Sequence, residues 1–428
     1  MSAYRPYPKY KSSGVEWLGD VPEEWEVKPL KYAATLRTQK SVGRRKAIGL
    51  ENIESWSGRF IETESEFEGE GVAVEAGDIL FGKLRPYLAK AIIVTEPSDA
   101  VGDFHAMRPN RLTHTRFLLY QILSKEFIVM VDGSTFGSKM PRASWEFVGK
   151  MPLPLPPLPE QQQIASFLDR ECGKLDALQA KQERLIELLK EKRQALISHA
   201  VTKGLDPNAK LKPSGVEWLG DVPEHWRVVA LKHVVAQPII DGPHESPQKM
   251  DEGIPFVSAE AISQGFIDFD KIWGYISRED HLKYSRRYKP RFGDILLVKL
   301  GATTGTPAIV ETEMDFNIWV PLAAIRPKTG IEPRFIFHIL RSDNLKRAYE
   351  LGWTYGTQQT LGLNTISNLR ISLPPLAEQR AIVAHLDDKC GKIDQLKAKA
   401  ERAIALLKER RSALISAAVT GKIDVRDA

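Results

Sequence analysis

Lys83, Arg85, Tyr87 and Lys90 gather cations and an aromatic ring into one short loop, and Ser138, Lys139 and Arg142 form a second such cluster beside Phe136. In the second half of the chain Lys299, Thr303 and Thr304 stand in the place of the first cluster. Tyr355, Thr357, Gln358 and Gln359 stand in the place of the second. Arg, Lys, Gln and Thr are the side chains that meet phosphates and base edges, and neighbouring glycines let a loop backbone come close. Each cluster alone also reads as a solvated surface loop. Recurrence at equivalent places in two otherwise divergent stretches favours a binding surface. The runs Arg44, Arg45, Lys46 and Arg286, Arg287, Lys289 are weaker candidates, since charge runs are usually wet faces.

The sequence around these clusters lacks the signatures of catalysis. Gly301 to Thr306 reads GATTGT, which lacks the lysine of a phosphate-binding loop and a long helix after it. There is no Gly-rich fingerprint between a strand and a helix for an adenosyl cofactor, and no Asn-Pro-Pro-aromatic run of an adenine methyltransferase. Asp78 and Asp294 follow a glycine at a strand entrance. No acidic residue stands two before Lys83 or Lys299, where a nuclease would need it, because Phe81 and Leu297 do. Gly-Asp there is turn chemistry. The nine histidines form no close ligand pair. The chain is expected not to be an enzyme by itself, and to hold no metal or cofactor.

The elements that must position the clusters come in duplicate. Ser13–Lys31 reads SGVEWLGDVPEEWEVKPLK and Ser214–Lys232 reads SGVEWLGDVPEHWRVVALK. PPLPEQQQIASFLDRECGKLDALQ, from Pro156, is answered by PPLAEQRAIVAHLDDKCGKIDQLK, from Pro374. The likeness runs on to ALISHAVT and ALISAAVT. Between these frames the sequence has diverged, yet short pairs survive. Gly77-Asp78-Ile79-Leu80 answers Gly293-Asp294-Ile295-Leu296, and Arg108-Pro109 answers Arg326-Pro327. A chain that repeats its frame and varies its inserts is built to read two different things. Trp17, Trp25, Trp218 and Trp226 open the two frames and read as packing residues that seat each domain.

Inside the first insert, β-prone runs at Ala47–Leu50, Asp78–Phe81 and Ala91–Thr95 precede a helical pattern over Thr115–Val129. Val148–Leu153 is again β-prone. The second insert repeats the order, with a helix near Pro333–Leu351. Each unit closes with a long helix after a Pro-rich stop, from about Glu160 to Thr202 and from about Glu378 to Thr420, roughly 60 Å each. One heptad series holds Leu168, Leu175, Gln182, Leu189 and Leu196 in the first helix, and Leu178 and Leu185 widen its apolar stripe. Leu386, Ile393, Leu396, Leu407 and Leu414 answer in the second. Such a seam needs a partner helix. A homodimeric coiled coil is one solution. Pairing within the chain is favoured, because the two helices match in length and one chain supplies both. The expected fold class is α+β, with two pseudo-symmetric mixed α/β domains joined by an antiparallel intramolecular coiled coil.

At 428 residues the chain has material for two such domains. A net charge of +5 permits an anionic partner without demanding one. The two cysteines, Cys172 and Cys390, are repeat equivalents deep in predicted helices, which argues against disulfides or zinc and fits a cytoplasmic location. The N-terminal MSAYRPYPKYKSS has no apolar core, and no run approaches the roughly 20 apolar residues of a membrane span.

These frames closely resemble the specificity (S) subunit of type I restriction–modification enzymes, over essentially the whole chain. The resemblance implies a target-recognition domain at 1–158, a spacer helix at 159–203 and a linker at 204–213. A second recognition domain at 214–376, a second helix at 377–421 and a tail at 422–428 complete it. It further implies that each domain reads half of a bipartite asymmetric site in double-stranded DNA. The helices would set the spacing and dock two methyltransferase subunits, through which restriction subunits join. S-adenosylmethionine, ATP and Mg would be bound by those partners. The rival from another class is a coiled-coil scaffold whose two inserts bind proteins.

Overall fold

A computed structural model describes residues 4–41, 45–64, 71–137, 139–263, 265–355 and 359–426. The chain divides into two compact units, residues 1–183 with 401–428, and residues 184–400. The division falls inside the long helices rather than at their ends, so each unit contains part of both.

The first unit is built on a four-stranded antiparallel sheet of β1 (Ala34–Leu36), β2 (Ile79–Gly82), β3 (Ala91–Ile93) and β4 (Phe104–Pro109), in the order β1-β4-β2-β3. Strand β2 is buried along its whole length because both faces of the sheet are covered. Ile79 and Phe81 face α1 (Thr115–Ile122) and α2 (Lys125–Gly133), packing with Leu118, Leu119 and Phe127. Leu80 faces the other way, toward Ile48, Val74 and Ala100 of a three-stranded sheet. Alternation along one strand thus feeds two cores.

The second unit repeats this with β5 (Ile240–Asp241), β6 (Ile295–Val298), β7 (Pro307–Ile309) and β8 (Leu322–Ile325), in the order β5-β8-β6-β7. Ile295 and Leu297 join the helix-side core, and Leu296 and Val298 the opposite one. The three-stranded sheets differ. Gly71–Val74 pairs with Ser98–Val101, whereas Gly274–Ile276 pairs with Ile254–Val257. Divergence of the inserts has changed which strand is central.

Each helical pattern expected after the sheet is two helices, not one. In the second unit they are Pro333–Leu340 and Asp343–Gly352. The break falls at Ser124 and at its equivalent Ser342. Each serine hydroxyl accepts from the amide three residues on, Phe127 at 3.4 Å and Leu345 at 3.3 Å, and so caps the second helix.

The long helices run Leu158–Lys203 and Leu376–Val419, starting directly after the paired prolines, two residues earlier than expected. In the first unit Ile164, Ala165 and Leu168 pack with Ile415, Ala418 and Val419, so the start of one helix meets the end of the other. The second unit packs Ile197, Ala200 and Val201 with Ile382, Val383 and Leu386. The pairing is antiparallel and intramolecular in both. Asp176 lies 3.4 Å from Arg411 in the first unit, and Arg193 pairs with Asp394 in the second, the same contact with the helices exchanged.

Leu168, Leu175, Leu189, Leu386 and Ile393 are buried, and Leu196, Leu407 and Leu414 half-buried. Leu178, Leu185 and Leu396 are exposed, at 46%, 39% and 48%, and do not belong to the seam. One stripe of buried and half-buried positions runs Leu168, Cys172, Leu175, Gln179, Gln182, Ile186, Leu189 and Arg193, alternating steps of four and three, with Glu171 and Asp176 half-buried beside it. The companion of each leading position lies four residues on, where polar Gln179 and Arg193 stand. Apolarity alone misplaced Leu178, Leu185 and Leu396. Cys172 and Cys390 are free thiols in this seam, and burial pushes the Cys172 thiol up to about 11, away from reactivity.

Candidate nucleic-acid interface

The turn before the central strand fixes where that strand starts in each unit. Gly77 and Gly293 adopt φ of +86° and +87°, which only glycine takes readily. The aspartate that follows accepts from a backbone amide, Glu75 N on Asp78 at 2.8 Å and Arg291 N on Asp294 at 2.9 Å. The same carboxylates hold the arginines of the two Arg-Pro pairs: Arg108 on Asp78, and Arg326 on Asp294 at 2.6 and 2.8 Å. The two pairs repeated in the sequence are therefore one structural device, and the aspartates act as turn residues and counter-ions.

From the far end of β2 and β6 the chain enters the candidate loops. In the first unit Ala143 N donates to Lys83 O at 2.9 Å, Arg85 N donates to Pro141 O at 2.8 Å, and Leu84 bridges Arg142. In the second, Leu361 N donates to Lys299 O at 2.8 Å, Gly301 N donates to Gln359 O at 3.1 Å, and Leu300 bridges Thr360. The two clusters of each unit, far apart in sequence, are zipped side by side at equivalent places. His105 reinforces the first zipper through Nε2, 3.0 Å from Ala143 O. Burial holds that imidazole below its usual pKa, in the neutral form that donates one such bond.

The side chains distribute differently in the two loops. In the first unit Arg85 and Lys139 are exposed, beside Tyr87 (47%), Phe136 (65%) and Met140 (49%). Three large apolar side chains are thus left in water close in sequence to two exposed cations. Arg142 is partly committed, its Nε and Nη2 lying 2.8–3.1 Å from Asp103, which Lys83 also approaches at 3.7 Å. Lys90 turns inward and donates to Leu50 O at 2.7 Å. Lys299 is only 9% exposed and ion-paired with buried Asp241 at 3.2 Å, so it serves the core rather than the surface. The Thr304 hydroxyl closes its own turn on Gly301 O at 2.7 Å. Thr303 is exposed and Gln359 half-buried. Ser138, Thr357, Gln358 and Arg44 lie outside the described residues, as does the Tyr355 side chain.

Three cations of the weaker charge runs are ion-paired. Arg45 pairs with Glu75 at 2.7 Å, Arg287 with Asp241 at 2.9 Å and Lys289 with Asp315 at 2.6 Å. Sequence reasoning missed Asp103 and Asp241. An isolated aspartate carries no signal of which cation it will meet. Among the described residues no cluster of His, Cys, Asp or Glu is arranged to hold a metal, and no helix is long and apolar enough to cross a membrane.

Two stretches, residues 22–188 and 223–404, match the type I restriction modification DNA specificity domain, and the chain belongs to that family. By class it is a specificity subunit, a component that is not itself an enzyme. The type I restriction enzyme EcoBI specificity subunit of Escherichia coli is 28% identical over 63% of this chain, an alignment that spans 58% of the relative's own length. The putative MjaX specificity subunit of Methanocaldococcus jannaschii is 25% identical over 96% of each chain. A chain from a structure concerned with assembly and conformational transition of the type I R-M system superposes with a TM-score of 0.72 at 22% identity, covering 93% of this chain and 98% of that one. The HsdS subunit from Thermoanaerobacter tengcongensis gives 0.53 at 20% identity, covering 94% and 98%. These likenesses establish the shared fold.

Proposed function

We propose that each unit reads one half of a bipartite, asymmetric site in double-stranded DNA. The zipped loop pair carries this reading. It recurs at the same place in both units, on a repeated frame, with different side chains in each. The long helices set the gap between the half-sites and dock two methyltransferase subunits, through which restriction subunits join a cytoplasmic assembly. S-adenosylmethionine, ATP and Mg belong to those partners.

Duplex binding by the full chain tests this against a protein-binding adaptor. Phosphate contacts release counterions, so affinity should fall linearly with salt on a logarithmic plot. An affinity for duplex DNA that is absent or insensitive to salt would reject the reading. Arg142→Ala should separate the two kinds of contact. If Arg142 grips a phosphate, the salt slope becomes shallower by about 1 across all sequences. If it grips a base, discrimination at one position relaxes by about 1–3 kcal/mol. If neither quantity changes, Arg142 is not part of the interface.

The helices' role predicts a change of spacing. Four residues inserted after Glu187, with four more after Ala400 to lengthen both helices alike, add roughly 6 Å and about one turn. At 3.4 Å per base pair the gap should grow by about two base pairs, with both half-sites kept. Selection of bound duplexes from a random pool measures it, and an unchanged gap would show that the helices do not set spacing.

A further inference from the structure

Trp56, Arg85 and Ala89 are the non-glycine residues with left-handed backbone among those described, at φ of +63°, +50° and +47°. All three lie in the first unit, and hydrogen bonds string them together. Arg85 and Ala89 flank a short turn, Pro86–Leu88, closed by Leu88 N to Arg85 O at 3.0 Å and Ala89 N to Pro86 O at 2.8 Å. That turn carries exposed Tyr87. Ala89 O in turn accepts from Trp56 N at 3.1 Å. Trp56 belongs to a strap, residues 54–59, whose ends meet through Glu54 N to Arg59 O at 3.0 Å.

The strap is held from the long helices. Arg411 donates through Nη1 to Trp56 O at 2.6 Å and through Nη2 to Ser57 O at 3.1 Å. Its Nε faces Asp176 at 3.4 Å, and Asp176 also meets Arg59 of the strap at 4.0 Å. A planar guanidinium is suited to grip two carbonyls with its terminal nitrogens while its charge faces a carboxylate, because its donors are fixed in one fork. Strained backbone persists only where its surroundings over-determine it, and it gathers at working sites. Here the strained residues run from a helix-borne arginine to the exposed turn.

We propose that Arg411 is a positioning residue for target reading by the first unit: by fixing the strap it fixes Ala89, and through Ala89 the aim of Arg85 and Tyr87. The inference rests on the reading of this loop as a DNA contact. Arg411 touches no DNA itself.

The test is selection of bound duplexes by the full chain, comparing the parent with Arg411→Gln, Arg411→Lys and Asp176→Asn. Arg411→Gln should lower discrimination in one half-site about tenfold and leave the other half unchanged. Arg411→Lys should restore part of it, since an ammonium still donates to carbonyls. If Arg411→Gln does not fold, Asp176→Asn decides, because it frees Arg411 from its carboxylate and should give the same one-sided loss. Unchanged discrimination, or equal loss in both halves, overturns the proposal. A parent that selects no bipartite site defeats the DNA reading itself, and this inference with it.

Discussion

Replacing Trp226 with alanine is expected to destabilise the second unit by about 3–5 kcal/mol, the usual loss for a large buried aromatic side chain. The indole is fully buried against the core that joins sheet, helices and the start of the second long helix. Its Nε1 donates to Glu378 Oε1 at 3.0 Å, and Glu378 also meets His225 at 2.9 Å. Truncation opens a cavity and removes one of that carboxylate's partners. Trp25→Ala should act alike in the first unit, where Nε1 donates to Glu160 at 3.1 Å and Tyr7 OH donates to the same oxygen at 2.7 Å. Trp226→Phe keeps most of the bulk and loses the N–H donor, so it should cost about 1–3 kcal/mol. Denaturant unfolding followed by circular dichroism separates the three. A loss under 1 kcal/mol for Trp226→Ala would mean that the repeated tryptophans do not seat the domains.

The frame was legible in the sequence because repetition is visible without knowing any contact. Trp25 with Glu160 and Trp226 with Glu378 are the same bond made twice. The helix pair was legible too, since matched seams demand a partner. The residues that widen the seam were not. Leu178 and Leu396 are as apolar as Leu175, and only packing shows that polar Gln179 takes the inner place.

At the candidate interface, equivalence between the inserts located both loops, and they do meet. The fate of single cations was hidden. Lys299 follows Asp241 by a long stretch of chain, and nothing local announces that the two are buried together. The strap was invisible for another reason. Trp56 and Ala89 take a left-handed backbone without being glycine, so no turn signature marks them.

The central claim is that two independent readers sit on one frame, and exchanging one of them tests it. Residues 32–151 are bounded by the closing ladder, in which Glu26–Pro29 pairs with Pro152–Leu155 and Leu30 N donates to Met151 O at 2.9 Å. A matching segment from a relative that recognises a different sequence can therefore enter without cutting a core strand. The variant is expressed with its methyltransferase subunit, and methylated bases are sequenced across the host genome. One half-site should be replaced by that of the donor, with the other half and the gap unchanged. A change in both halves together, or the parental site persisting in full, would contradict the account.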